Sequence, residues 1–262
     1  MTLSYTTIGA GPVHVLVAHS WPASSATLTP LHPYLDTDGM TWVFPDFRGY
    51  GSSADLSGQM TTWEMAQDLL DVVDELGWDS FHLVGHSMGG KAAQLLSGNA
   101  HARDRIRTLS LVSAVPSRGF PLDADTEKVF TAAANDPEVM AAVVTNLTAG
   151  RLGPQFGKHI GALSTSTASA PTLEAYLRAW SVDDVSAEVG GYTNPVLVLT
   201  GEFDPVLTAD LTAEQIVPQF IDVRQDVVVG AGHFPPAEAP ARTAGLLTAH
   251  ISRRPDDVAT DR

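Results

Sequence analysis

The apolar positions of this chain follow two alternating periods. Short apolar runs at 3–8, 13–19, 40–44 and 81–84 read as strands, and Val13-His14-Val15-Leu16-Val17-Ala18-His19 reads as a buried one. Helical spacing separates them. Thr61-x-x-Glu64 is a capping box, and behind it Met65, Leu69, Val72, Val73 and Leu76 share a face that should pack on a sheet, with Gly77 as its stop. A helix is expected over 28–35, irregular because of Pro30 and Pro33. Further strands are expected at 107–112, 195–200 and 223–229, and further helices at 91–96, 209–217 and 238–251.

The strand–helix rhythm stops between residues 116 and 194. There the pattern gives helical fragments at 126–134, 137–147 and 171–180. Gly150-Arg151-Leu152-Gly153-Pro154 and Ser164-Thr165-Ser166-Thr167-Ala168-Ser169 read as links between them. The organisation predicts one α/β domain, with a core formed by 1–115 and 195–251 and a helical lid, 116–194, inserted between two strands. The polar tail 252–262, which holds Pro255, is expected to be flexible.

Composition narrows the function classes. Thirty acidic residues against 15 Lys plus Arg give a formal charge of −15, which argues against nucleic acid or an anionic membrane as partner. With no cysteine there is neither a disulfide framework nor a thiol nucleophile. The N-terminus lacks the basic start and apolar run of a signal peptide, and no stretch is apolar enough for a transmembrane helix. The expected address is the cytoplasm.

The chemistry centres on Gly85-His86-Ser87-Met88-Gly89, a G-x-S-x-G pattern between an apolar strand and a helix. The central residue of such a turn is lifted clear of the sheet, and small neighbours two positions away let strand and helix approach. A serine hydroxyl needs a base and a group to orient that base. His233, in Gly230-Ala231-Gly232-His233 after the last strand, and Asp204, after the strand before it, stand in the chain order Ser…Asp…His. Glu202 lies close to Asp204. The loop after strand 107–112 holds no carboxylate, which favours Asp204. An oxyanion hole needs two backbone donors, expected from Met88 and from Trp21, since Pro22 has no N–H.

From Val13 to Ile251 the chain resembles the α/β-hydrolase superfamily, in its lidded, esterase-like branch. The resemblance rests on His19-x-Trp21-Pro22, Asp46-x-Arg48-Gly49-x-Gly51-x-Ser53, Gly85-His86-Ser87-Met88-Gly89-Gly90, Gly201-x-x-Asp204 and Gly232-His233. It implies an α/β-hydrolase fold, a mostly parallel sheet flanked by helices, and a mainly structural role for the Asp46–Ser53 loop. Gly-His-Ser-Met-Gly-Gly-Lys is similar to a group of small-acyl esterases. Two departures stand out. Ser20 occupies a position where the family usually has Gly, so that it is expected to narrow the site or add a donor, and the front hairpin of the sheet looks shortened.

The resulting expectation is a serine hydrolase of a small apolar ester or lactone, needing no cofactor or metal, as monomer or homodimer. Phe120, Met140, Leu147, Leu177, Trp180 and Phe234, with Trp21, form the pool of expected pocket residues. The alternatives are carbon–carbon bond hydrolysis, perhydrolysis or cofactor-free dioxygenation on the same site, or a ligand sensor with slow turnover. An aspartate nucleophile is excluded by Ser87.

Overall fold

The computed structural model describes residues 2–253. Seven strands form one sheet: β1 (Tyr5–Ile8), β2 (Val13–Ala18), β3 (Met40–Pro45), β4 (Phe81–His86), β5 (Ile106–Val112), β6 (Val196–Gly201) and β7 (Val223–Val228). Their spatial order is β1-β3-β2-β4-β5-β6-β7. β1 alone runs antiparallel, pairing β3 at one edge, so the shortened front hairpin leaves a single edge strand. All other pairings are parallel, and the central strands β2, β4, β5 and β6 are buried nearly throughout. Parallel pairing puts every loop that leaves a strand's carboxyl end on one edge, where ligands bind in sheets of this kind.

Helices cover both faces: α1 (Thr62–Glu75), α2 (Met88–Gly98), α7 (Ala209–Gln215), α8 (Pro235–Glu238) and α9 (Pro240–Ile251). The expected capping box at α1 is displaced by one residue. Thr61 Oγ1 accepts from Glu64 N at 3.2 Å, but Glu64 reaches back to Met60 N, at 2.6 Å, and not to Thr61. The segment Ser25–Tyr34 winds as a 3₁₀ helix, because Pro30 and Pro33 each remove a backbone donor that an α-helix needs. Within the expected tail, Ser252 caps α9 and Arg253 follows it, while 254–262 lie outside the described residues.

Between β5 and β6 the chain builds four α-helices, α3 (Ala124–Asn135), α4 (Pro137–Leu147), α5 (Gly153–Thr167) and α6 (Ala170–Ser181), and a short 3₁₀ turn at Ser186–Glu188. The sequence reading corresponds to α3, α4 and α6 but treats the two ends of α5 as links and gives 155–163 no element. Residues 150–152 and 168–169 do link helices, but Gly153, Pro154 and 164–167 belong to α5, and that part of the reading is corrected. Pro154 sits in the first turn of α5, where a missing N–H costs nothing, and Ser166 and Thr167 hydroxyls donate back to Leu163 O at 3.0 and 2.8 Å. A hydroxyl-rich run is thereby satisfied inside a helix. Gly157 and Gly161 let α5 lie against α4, since a side chain on Gly157 would strike Ala141 O and one on Gly161 would meet Pro137 O at 2.5 Å.

A buried lysine ties this insert to α2. Lys91, on α2, is fully buried, and its Nζ donates to Ala179 O at 2.7 Å, to Trp180 O at 3.3 Å and to Asp183 O. It therefore satisfies carbonyls at the negative end of α6. Burial pushes its pKa down to about 8, against the pull of Asp183 and Asp184.

Two predictions arise from this packing. Gly157→Leu should destabilise the protein by about 1–3 kcal/mol in chemical denaturation, the usual cost of overpacking; an unchanged midpoint would contradict the close α4–α5 contact. The second concerns pH. Between about 8 and the ordinary value of 10.5, the folded Lys91 is neutral while the unfolded one is protonated, so the unfolded chain binds more protons and stability rises with pH. The stability of the wild type relative to Lys91→Met should therefore climb across that window. A flat difference would contradict a buried, proton-shedding lysine.

Candidate active site

Ser87 stands between β4 and α2 with φ 52° and ψ −115°, a backbone conformation that non-glycine residues rarely adopt. Its N–H donates to Val112 O at 2.9 Å, and its carbonyl accepts from Gly90 N at 2.9 Å and Val115 N at 3.1 Å, so the turn is fixed from β5 as well as from α2. The residues around it are small because nothing larger fits. A Cβ on Gly85 would lie 2.6 Å from Gly89 O, and one on Gly89 would lie 2.5 Å from His19 O. The second contact presses the loop after β2, which carries Trp21, against the elbow.

The three residues singled out in the sequence meet at one point. Ser87 Oγ donates to His233 Nε2 at 3.0 Å, and His233 Nδ1 donates to Asp204 Oδ2 at 2.9 Å. All three side chains are buried. Burial on its own would raise the Asp204 carboxyl, but the His233 imidazole and the N–H groups of Val206 and Leu207, both 3.0 Å from Oδ1, hold it below its usual value. An ionised acceptor at Nδ1 fixes the proton there and leaves the Nε2 lone pair facing Ser87. Glu202 points elsewhere, its Oε2 accepting from Gly230 N at 2.9 Å.

Met88 opens α2 directly after Ser87, so its N–H is one of the first-turn donors without an intrahelical acceptor. Trp21 is buried, its Nε1 donating to Leu173 O of α6 at 3.0 Å. His19 holds this loop: it accepts from Phe47 N at 3.0 Å through Nε2 and donates through Nδ1 to Ser20 O at 2.9 Å. Burial pushes its pKa down, against the pull of Asp46, in keeping with that neutral tautomer. The expectation for Ser20 is corrected: its side chain is fully buried with no hydrogen-bond partner among the described residues, and it does not line the cavity over Ser87. Asp46 is structural, accepting from Ser25 N and Ser52 N at 2.9 and 2.8 Å.

A cavity of about 100 Å³ opens over Ser87 and His233. Trp21, Phe120, Leu147 and Trp180 from the expected pool line it. Met140, Leu177 and Phe234 do not, and their place in the pool is corrected. Met140 and Leu177 face inward in the packing of the insert, and Phe234 stands edge-on to the rings of His233 and His86, at 5.2 and 5.9 Å. The sequence reading misses Val115, Leu122, Thr126, Phe130, Val206 and Leu207. Val115, Val206 and Leu207 follow strand ends on the edge that carries Ser87, and Leu122, Thr126 and Phe130 repeat at helical spacing; both signals were present in the sequence.

Two supports of the histidine loop were also missed. His86 Nε2 donates to His233 O at 2.9 Å, and burial, reinforced by His233, pushes the His86 pKa down to about 3, so it stays neutral. Glu238 accepts from Gly232 N and Phe234 N, both at 2.8 Å, and clamps the backbone on each side of His233. Arg151, between α4 and α5, meets Glu238 at 3.2 Å. Among the described residues no three His, Asp or Glu side chains converge as a metal site would require, and no helix is long and apolar enough to cross a membrane.

Comparison with known proteins agrees with this architecture. A family profile described as the alpha/beta hydrolase fold matches residues 13–178. A non-heme haloperoxidase of Rhodococcus erythropolis is 26% identical over 245 residues, spanning 84% of this chain and 85% of that one. A 3-oxoadipate enol-lactonase of Acinetobacter baylyi is 27% identical over 209 residues, spanning 79% and 76% of the two chains. An esterase structure from Exiguobacterium antarcticum superposes with a TM-score of 0.84 over 96% of each chain at 21% identity, a likeness of fold. The chain belongs to the alpha/beta hydrolase family.

Proposed function

We propose that this protein is a serine hydrolase cleaving a carboxylic ester or lactone through an acyl-enzyme. The observation that carries the proposal is the continuous hydrogen-bonded line from Ser87 Oγ through His233 to Asp204, set against an apolar cavity. Ser87 attacks the carbonyl carbon as His233 Nε2 takes its proton. The oxyanion lies against the N–H groups of Trp21 and Met88, at the positive end of α2. His233 passes the proton to the leaving alkoxide, then activates the water that releases the acid. Asp204 stabilises the imidazolium throughout.

The size of the cavity points to small substrates. A dry cavity of about 150 Å³ holds benzene, so about 100 Å³ suits a short acyl group. The four-helix insert acts as the lid that walls off this space. The enol-lactonase relative supports the lactone arm of the proposal. The haloperoxidase relative favours a second reading, perhydrolysis, in which hydrogen peroxide replaces water at the acyl-enzyme.

The test is hydrolysis of p-nitrophenyl esters of increasing acyl length. Ser87→Ala and His233→Ala should each lower kcat by about a million-fold, and Asp204→Asn by about ten-thousand-fold, as when members of such a triad are removed elsewhere. Rates should be greatest for the shortest acyl groups. Wild-type-like turnover in Ser87→Ala or His233→Ala would refute the assignment. Peracid formation from an ester and hydrogen peroxide, dependent on Ser87, would select the second reading.

A further inference from the structure

A groove of about 500 Å³ runs between α3 and α4 on the insert. Val129, Val139, Ala142 and Val143 give it apolar walls, and Asp125 and Asn146, both exposed, also border it. Thr126, Phe130, Leu147 and Val206 line both this groove and the cavity over Ser87. One layer of side chains therefore divides the two spaces, and three of its members, Thr126, Phe130 and Val206, are only half-buried.

The dividing layer touches the base side of the site. Val206 N donates to Asp204 Oδ1 at 3.0 Å, and Leu147 O accepts from His233 N at 3.0 Å. A leaving alkoxide must take its proton from His233 Nε2, so the alcohol half of an ester lies on this side. Trp21, Val115 and Trp180 line the inner cavity and not the groove.

We propose that the alcohol moiety of the substrate passes between Thr126, Phe130, Leu147 and Val206 into the α3–α4 groove, while a short acyl group fills the inner cavity. The substrate class is then short-acyl esters of apolar alcohols. This rests on the serine-hydrolase reading above. The apolar walls reward added methylenes, and Asp125 disfavours an anionic alcohol.

The experiment compares two ester series: acetates of methanol, butanol and hexanol, and methyl esters of acetic, butyric and hexanoic acids. Each is assayed with the wild type, Ser87→Ala and Ala142→Trp. Ala142 is exposed on the groove wall, so a tryptophan there fills the groove from outside, and a thermal melt checks that the fold is retained. In the wild type, kcat/KM should rise about fourfold per methylene added to the alcohol and fall as the acyl group lengthens. Ala142→Trp should flatten the alcohol series. Ser87-dependent turnover that ignores alcohol length would overturn the groove assignment, as would turnover that rises with acyl length and loses that rise in Ala142→Trp. Turnover surviving in Ser87→Ala would overturn the hydrolase reading itself, and the groove assignment with it.

Discussion

Ser87 is held at φ 52° in a turn that has no room for a side chain on either neighbouring glycine. A non-glycine residue in such a conformation costs on the order of 1–3 kcal/mol and persists only where the surroundings over-determine it. Here β5 supplies an acceptor for its N–H, α2 supplies donors to its carbonyl, and the loop after β2 abuts Gly89. Much of the site's arrangement depends on this turn. It aims the hydroxyl at the edge where the loops after β6 and β7 bring Asp204 and His233. It also starts α2 where developing negative charge would be stabilised.

The insert is bound to that arrangement at several points. Lys91 reaches from α2 to the carbonyl end of α6, Trp21 donates to Leu173 O, and Leu147 O receives the N–H of His233. Arg151 joins the clamp made by Glu238 around the histidine loop. The cavity wall and the hydrogen-bonded line from Ser87 to Asp204 are thus parts of one packed unit. The histidines that support it, His19 and His86, are kept neutral by burial, which leaves the one carboxylate–imidazole pair, Asp204 with His233, as the polar axis of the site.

The strands and the elbow were legible in the sequence because each rests on local spacing, and the meeting of Ser87, Asp204 and His233 because strand-end loops in the order Ser…Asp…His share one sheet edge. An apolar run, a glycine-flanked serine and a strand-end loop carry their meaning within a few residues. The helix α5 was not legible, since hydroxyl-bearing and glycine residues signal links unless a partner helix is known to lie against them. The pocket wall was half legible for a related reason. Met140 and Phe120 look alike in a sequence, and only the packing of α3 against α4 and α6 turns one inward and the other toward Ser87. His86 and Glu238 act on the backbone of a loop distant in sequence, so no local motif announces them.

The central claim is that Ser87 forms a covalent acyl-enzyme. The most direct measurement is intact-mass analysis followed by peptide mapping after reaction with a fluorophosphonate probe. The account predicts one adduct per chain, on Ser87, absent in Ser87→Ala and suppressed in His233→Ala. An unlabelled Ser87 in a folded protein, or an adduct that persists in Ser87→Ala, would contradict it.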